Sequence, residues 1–433
     1  MANKLTKWLR LDNSAKIYPM LISKKSMNMF RLSAELDEAV DKDVLQEALK
    51  LTISRFPSFN VKLMKGIFWY YYEENTAKPF VVEESDVILD KITFQNNKGF
   101  NFRVGYFNNR ITVDFFHAIA DGSGGMEFLK SLLYTYLNLR GDDVLSEQKV
   151  ITVNTPIDGE EIEDSFLKYY KHKKMSELPI KDMKGAECYK IDGILYNNNG
   201  KGLIEANFEA KKLLDVCHER GCTVTEFLGG LLLYSIFMTK MQGKPTASEM
   251  QLFCPINLRK IFPSRTLRNF SLFSRVNCSA NRELTLDMCI DDMKESLERD
   301  LEKEYLSNKI STTVRAEKLF IMRITPLFLK QAIFNIANKF FGKPKTATFS
   351  NLGIAQLPES MAKHVKRIGF VLNTKKDNPS NMAVVTYNGR LNISFSRSIM
   401  DNDIERFFVK YLTEKLGISV EVRSNFWEVD NAL

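Results

Sequence analysis

Two stretches of this chain, 280 residues apart, carry the same grammar, and that doubling constrains the fold more than any other feature. In the first, FNFRVGYF, Asn108-Asn109 and RITVDFF read as two strands about a turn, rich in the aromatic and β-branched residues that suit a pleated surface. From Gly122 the period changes: Met126, Phe128, Leu129, Leu132, Leu133, Tyr136 and Leu137 share one helical face, and Gly141 stops it. In the second, NMAVVTYNGRLNISFS predicts a hairpin about Asn388-Gly389, followed by a helix from about 402 to 416. The shift aligns Arg110 with Arg390, Phe115 with Phe395, Ile119 with Ile399, Asp121 with Asp401, Phe128 with Phe408 and Leu132 with Leu412. Either a true duplication or the shared grammar of hairpin and helix yields such a match. If it is a duplication, the second copy has lost a histidine, since Arg397 stands opposite His117.

The rest of the chain alternates in the same way. Residues 42–55 form a helical stripe with Asp41 as its cap and Pro57 as its stop. FNVKL, Lys65-Gly66 and IFWYYYEE predict another hairpin. Further on, GLIEANF reads as a strand, EAKKLLDVCHERG as a helix ended by Gly221, and Thr223 to Glu226 as a capping box opening the next helix; TATFSN is a later strand. Strands alternating with helices argue for an α/β protein. A chain of 433 residues exceeds one ordinary core, and the polar, turn-rich stretch from 141 to about 200 looks like a connection. The expected organisation is an N-terminal half over 1–145, a polar linker over 146–200 and a C-terminal half over 201–433.

A formal charge of +8 without a basic stripe gives nucleic-acid binding little support. A polyanionic small molecule would suit such a surface, although solvated charged faces are its ordinary cause. The start of the chain lacks the apolar run of a secretory signal, and FLGGLLLYSIFM (227–238) is too short to span a bilayer and reads as a buried core helix. Six cysteines form no CxxC pair, so reduced thiols and a cytoplasmic protein are expected.

The chemistry concentrates in FFHAIADGSGG (115–125), where an apolar strand delivers His117 and Asp121-Gly122 opens a helix. As a metal site it lacks a nearby third ligand, and as a serine hydrolase it fails because Asp121 precedes Ser123 where Gly-x-Ser-x-Gly needs glycine. A buried, satisfied histidine beside an aspartate cap is the plain alternative to a catalytic role.

HAIADG, followed by PINLR (255–259) and FSNLG (349–353), resembles the CoA-dependent acyltransferase superfamily, which includes chloramphenicol acetyltransferase, nonribosomal peptide condensation domains, plant His-x-x-x-Asp acyltransferases and alcohol acetyltransferases. RLDNSAKIYP, FPSFNVKLMKGIFWYYYE and the closing hairpin and helix look most like bacterial proteins grouped with alcohol acetyltransferases. The resemblance implies two similar α/β halves, each a mixed sheet flanked by helices, with a tunnel at their interface. It implies His117 as general base, Asp121 turned away to pair with Arg259, Gly122 leaving room in the turn, and Ser350 donating to the oxyanion. Taken alone, Ser350 is a strand-end serine and Arg259 a surface arginine.

By the same resemblance the donor is acyl-CoA, the acceptor a small alcohol or amine, and no metal takes part. The oligomeric state stays open, with a monomer as the default. Phe116 stands where condensation domains usually show a second histidine, and SNLG replaces the DFGW of the plant enzymes. The rival readings are a condensation-like enzyme fed by a carrier protein and a non-catalytic member that binds acyl-CoA or a partner.

Overall fold

The computed structural model describes residues 8–23, 27–172, 188–341 and 345–425, with the backbone alone over 335–341. Part of the polar connection, 173–187, therefore lies outside the described residues. In chain order the first elements are β1 (Trp8–Arg10), α1 (Ile17–Met20), β2 (Met29–Leu36), α2 (Lys42–Arg55), β3 (Val61–Lys65), β4 (Tyr70–Glu74), β5 (Val81–Glu83), β6 (Phe102–Phe107), β7 (Arg110–Phe116), α3 (Gly122–Arg140) and α4 (Ser165–Lys168). After the connection come β8 (Gly202–Glu209), α5 (Ala210–Glu219), α6 (Val224–Lys240), β9 (Glu249–Asn257), β10 (Ser271–Ser279), α7 (Leu286–Leu301), α8 (Lys303–Lys318), α9 (Phe320–Ile324) and α10 (Leu327–Phe341). The chain then runs through β11 (Ala347–Ala355), α11 (Glu359–Ala362), β12 (Val365–Leu372), β13 (Ser380–Tyr387), β14 (Arg390–Arg397), α12 (Asp403–Lys410) and β15 (Glu421–Ser424).

These strands make a five-stranded sheet in the order β12-β2-β7-β6-β5, a seven-stranded sheet in the order β10-β9-β11-β13-β14-β8-β15, and a small sheet β1-β4-β3. Laid side by side, β12-β2-β7-β6-β5 corresponds to β15-β8-β14-β13-β11. The pairings agree in direction as well: antiparallel throughout, except for the parallel last pairs β5·β6 and β11·β13. The doubling seen in the sequence is thus a doubling of architecture. Each copy is a mixed sheet flanked by helices, and β9 and β10 extend the second.

The predicted local signals act where the sequence puts them. Asp41 accepts the amides of Asp43 and Val44 to open α2, and Thr223 and Glu226 form the reciprocal box that opens α6. Asn388 and Gly389 both take positive φ (46° and 71°), the conformation a two-residue hairpin needs. The apolar run 227–238 lies within α6, which buries Phe227, Leu228, Leu231, Leu232, Leu233, Ile236 and Phe237. Among the described residues no single helix is long and apolar enough to cross a membrane, and all six cysteines are free thiols.

One strand crosses the divide. β12 belongs by sequence to the second half, yet it pairs with β2 from Val365 opposite Leu36 to Leu372 opposite Phe30, and Ile368 and Phe370 join the first half's core. It also accepts hydrogen bonds from the other sheet: Asn392 Nδ2 reaches the Ile368 carbonyl, Ser396 Oγ that of Leu372 and Tyr387 OH that of Val365. The two sheets therefore meet along β12.

Candidate active site

The strand β7 stops at Phe116 because the chain turns there. The His117 amide donates to the Asn28 carbonyl (2.9 Å) and the Ile119 amide to the Phe116 carbonyl (3.0 Å), which lifts the backbone out of the sheet. Ala118, Ile119 and Ala120 bury themselves beneath, and Asp121 takes an extended conformation (φ −89°, ψ 179°) to cap α3. The histidine thus stands at a strand end and the aspartate at a helix start.

Asp121 is spoken for on both oxygens. Oδ1 accepts the Gly124 amide (3.1 Å), while Oδ2 accepts Arg259 Nη1 (2.7 Å) and the Phe270 amide (2.8 Å). The rest of the Arg259 guanidinium donates to the carbonyls of Thr266 and Arg268, so it folds the loop 259–270 on itself. That loop presses closely on the helix start. A Cβ on Gly124 would lie 1.9 Å from the Leu267 carbonyl oxygen, so the position admits glycine alone. Asn257, the first residue of Asn-Leu-Arg, donates to Ser123 Oγ (2.9 Å) and accepts the Arg259 amide (3.1 Å).

The loop's yield is Asn269, whose side chain is fully buried with Oδ1 3.1 Å from His117 Nδ1. Its Nδ2 faces the Ala118 carbonyl at 3.3 Å and an Asp12 oxygen at 3.5 Å, both acceptors, which fixes the amide with Oδ1 toward the imidazole. An accepting Oδ1 requires the proton on Nδ1. Nε2 is then left with its lone pair, and it has no hydrogen-bond partner among the described residues. Tyr18 stacks on the ring at 4.5 Å and Phe30 meets it edge-on at 5.2 Å.

Burial holds the His117 pKa below its ordinary 6.5, outweighing the upward pull of its own backbone, Asp121, Asn269 and Asp12. Burial therefore favours the neutral ring. A neutral amide as the orienting group preserves that state, where a carboxylate in the same place would favour the cation.

Ser350 is buried on β11 opposite Ala383, just before a bulge between Asn351 and Ile354. Gly353 supplies the bulge's positive φ (79°), and its amide bonds to Asn351 Oδ1 (2.8 Å). Leu352 packs on the helix start, with its Cδ2 only 2.4 Å from where a Gly122 Cβ would be. His117, Asp121, Gly122 and Arg259 are thus brought into one cluster. Ser350 reaches it through Leu352, and its hydroxyl makes no hydrogen bond to the other four.

No protein-family model matches the chain and no curated protein matches it. Solved structures do. TRI3 trichothecene 15-O-acetyltransferase from Fusarium sporotrichioides superposes with a TM-score of 0.62 at 11% identity, over 95% of each chain. TRI101 of the same organism, solved with coenzyme A and T-2, gives 0.62 at 12% over 96% of this chain and 100% of that one. The first condensation domain of the calcium-dependent antibiotic synthetase gives 0.57 at 10% over 94% and 95%. The chain has the acyltransferase and condensation-domain fold.

Within that fold, sequence reading found the histidine, the aspartate and its arginine, and missed what holds the imidazole. Asn269, Tyr18 and Asp12 lie far from HAIADG in sequence; RLDNSAKIYP carried the resemblance without assigning Asp12 or Tyr18 a role, and a lone Asn in LRNFS carries no periodic or motif signal. Gly124 was legible only as part of the GSGG run that opens α3.

Proposed function

We propose that the protein is an acyltransferase that moves an acyl group from acyl-CoA to an alcohol or amine by direct transfer. The observation that carries this reading is the setting of His117: Nδ1 lies 3.1 Å from the buried Asn269 Oδ1, Nε2 has no hydrogen-bond partner among the described residues, and burial lowers the ring's pKa. In the proposed step Nε2 takes the proton of the acceptor hydroxyl or amine as its heteroatom attacks the thioester carbonyl. The tetrahedral oxyanion forms, the C–S bond breaks, and the imidazolium returns the proton to the departing thiolate. One base serves both halves. Ser350 is the proposed donor to the oxyanion, and Asp121, Gly122 and Arg259 position the histidine's loop.

A polyanionic donor is supported by Lys345 and Lys375. Burial lowers both pKa values, and the charge of Lys375 helps bring Lys345 to about 8, while Asp377 pulls each of them upward. Lys375 also donates to Asn28 Oδ1 (2.6 Å), and the Asn28 carbonyl receives the His117 amide, so an anion there would adjoin the base. The acyltransferase TRI101 shares the fold and was solved with coenzyme A.

The test is thiol release from acetyl-CoA and longer acyl-CoAs across a panel of alcohols and amines. Turnover should need both substrates, show intersecting double-reciprocal lines and fall in Ser350→Ala. Donor hydrolysis alone, or an acylated protein mass after incubation with donor, refutes direct transfer.

A further inference from the structure

Far from the His117 cluster in sequence, α9 and the start of α10 are turned inside out. Seven of the fifteen residues from Leu319 to Ile333 are exposed large apolar side chains, and Phe320, Ile321, Ile324, Phe328 and Ile333 are 51–75% exposed. On the same helix Lys330 is 4% exposed, its ammonium 3.5 Å above the Trp69 ring and donating to the Phe68 carbonyl. A helix that meets water on its outer face has the reverse arrangement. The hairpin turn beneath continues the patch: the Leu327 amide bonds to the Ile67 carbonyl (2.8 Å), and Ile67 is itself 75% exposed. Apolar surface this contiguous marks an interaction site.

Charge identifies the occupant. From Lys318 to Phe334 the sequence has three cations (Lys318, Arg323, and Lys330 turned inward) and no Asp or Glu. Lys318 and Arg323 are exposed beside the apolar side chains, and Lys65 is exposed at the hairpin. Of the nearby acids, Glu317 is paired with Lys16 and Glu73 with Lys62, leaving Glu74 exposed at the end of β4. Apolar tips flanked by exposed Lys318, Arg323 and Lys65, with Trp8 half exposed on the adjoining strand, match the interface of an anionic bilayer.

We infer that α9, the start of α10 and the 66–68 turn dock the protein on an anionic membrane surface. The contact places that surface beside a cavity of about 1250 Å³ lined by Trp8, Trp69, Phe68, Lys16 and Arg323. Lys16 belongs to the same short segment as Tyr18, the residue stacked on His117. The inference stands apart from the chemistry at His117, because its test reads binding and not turnover.

The experiment is flotation of the full chain with vesicles of phosphatidylcholine alone or with about 30% phosphatidylglycerol. The wild type should float with the anionic vesicles and only weakly with the neutral ones. Phe320→Ser with Ile321→Ser should weaken binding about tenfold or more, and Lys318→Glu with Arg323→Glu should abolish the preference for anionic lipid. Both pairs replace exposed side chains, so melting curves should match the wild type. A wild type that stays in solution, or a serine pair that floats as well as wild type, overturns the inference. So does sedimentation showing a wild-type dimer that the serine pair converts to monomer without any vesicle binding, since the patch would then cover a second copy.

Discussion

Breaking the contact between Asp121 and Arg259 should cost stability and activity together. The pair is 2.7 Å apart with side-chain exposures of 6% and 14%, so removing either partner strands a largely desolvated charge at about 3–5 kcal/mol. The two singles should not be equal. In Arg259→Ala the carboxylate keeps the Gly124 and Phe270 amides, which favours the lower end of that range. In Asp121→Ala those amides lose their acceptor and the guanidinium keeps only carbonyls, which favours the upper end. At roughly 1 °C per kcal/mol for a chain of 433 residues, the melting temperature should fall by roughly 3–5 °C. Activity should fall with it, because the loop the arginine folds is the one that brings Asn269 to His117. The double variant should lose less than the sum of the singles, by about 1–3 kcal/mol. Thermal melts and kcat/KM for all four proteins decide the matter. Strictly additive losses would refute the pairing, and an Asp121→Ala protein that is inactive but melts like wild type would refute the architectural role.

His117→Ala should cut transfer by about 10²- to 10⁴-fold while donor binding, followed by calorimetry, persists. Because burial lowers the His117 pKa, the acid limb of kcat/KM should have its midpoint below 6.5; the same group adds stability above 6.5 that is lost as pH falls from there through the native value, which melts across pH will show. Asn269→Asp puts a carboxylate against Nδ1 and should raise that midpoint by about 1–3 units, with activity recovered at high pH; an unmoved limb would mean that Asn269 does not hold the ring. Gly124→Ala drives a methyl into the Leu267 carbonyl and should destabilise by several kcal/mol, whereas Gly122→Ala meets the movable end of Leu352 and should melt within a few degrees of wild type.

The hairpins and helices were legible because their signals are local. A period of 2 giving way to 3.6 at Gly122, or Asn388-Gly389 between two apolar runs, needs no knowledge of the rest of the chain. Asp121 and Arg259 were legible only through resemblance, since nothing in either residue announces a partner 138 positions away. What stayed hidden depends on tertiary packing. The alternation in β12 is that of any half-buried strand, and it cannot say that the partner is β2 of the other half. The tautomer of His117 rests on Asn269, which rests on a loop shape set by two carbonyl bonds to Arg259, and no window of sequence contains all three.

The strand that β12 lends to the first sheet also governs the order in which the protein can be made. When β7 has left the ribosome, β2 still lacks its outer neighbour, which begins at Val365, about 250 residues later. At roughly 5–20 residues per second that is a wait of roughly 12–50 s with the outward-facing backbone groups of β2 bonded to water alone. Throughout translation the nascent first half is an open-edged sheet, competent to pair with any passing strand. A product truncated before Val365 would keep the outer edge of Met29–Leu36 unpaired and open to pairing with another chain.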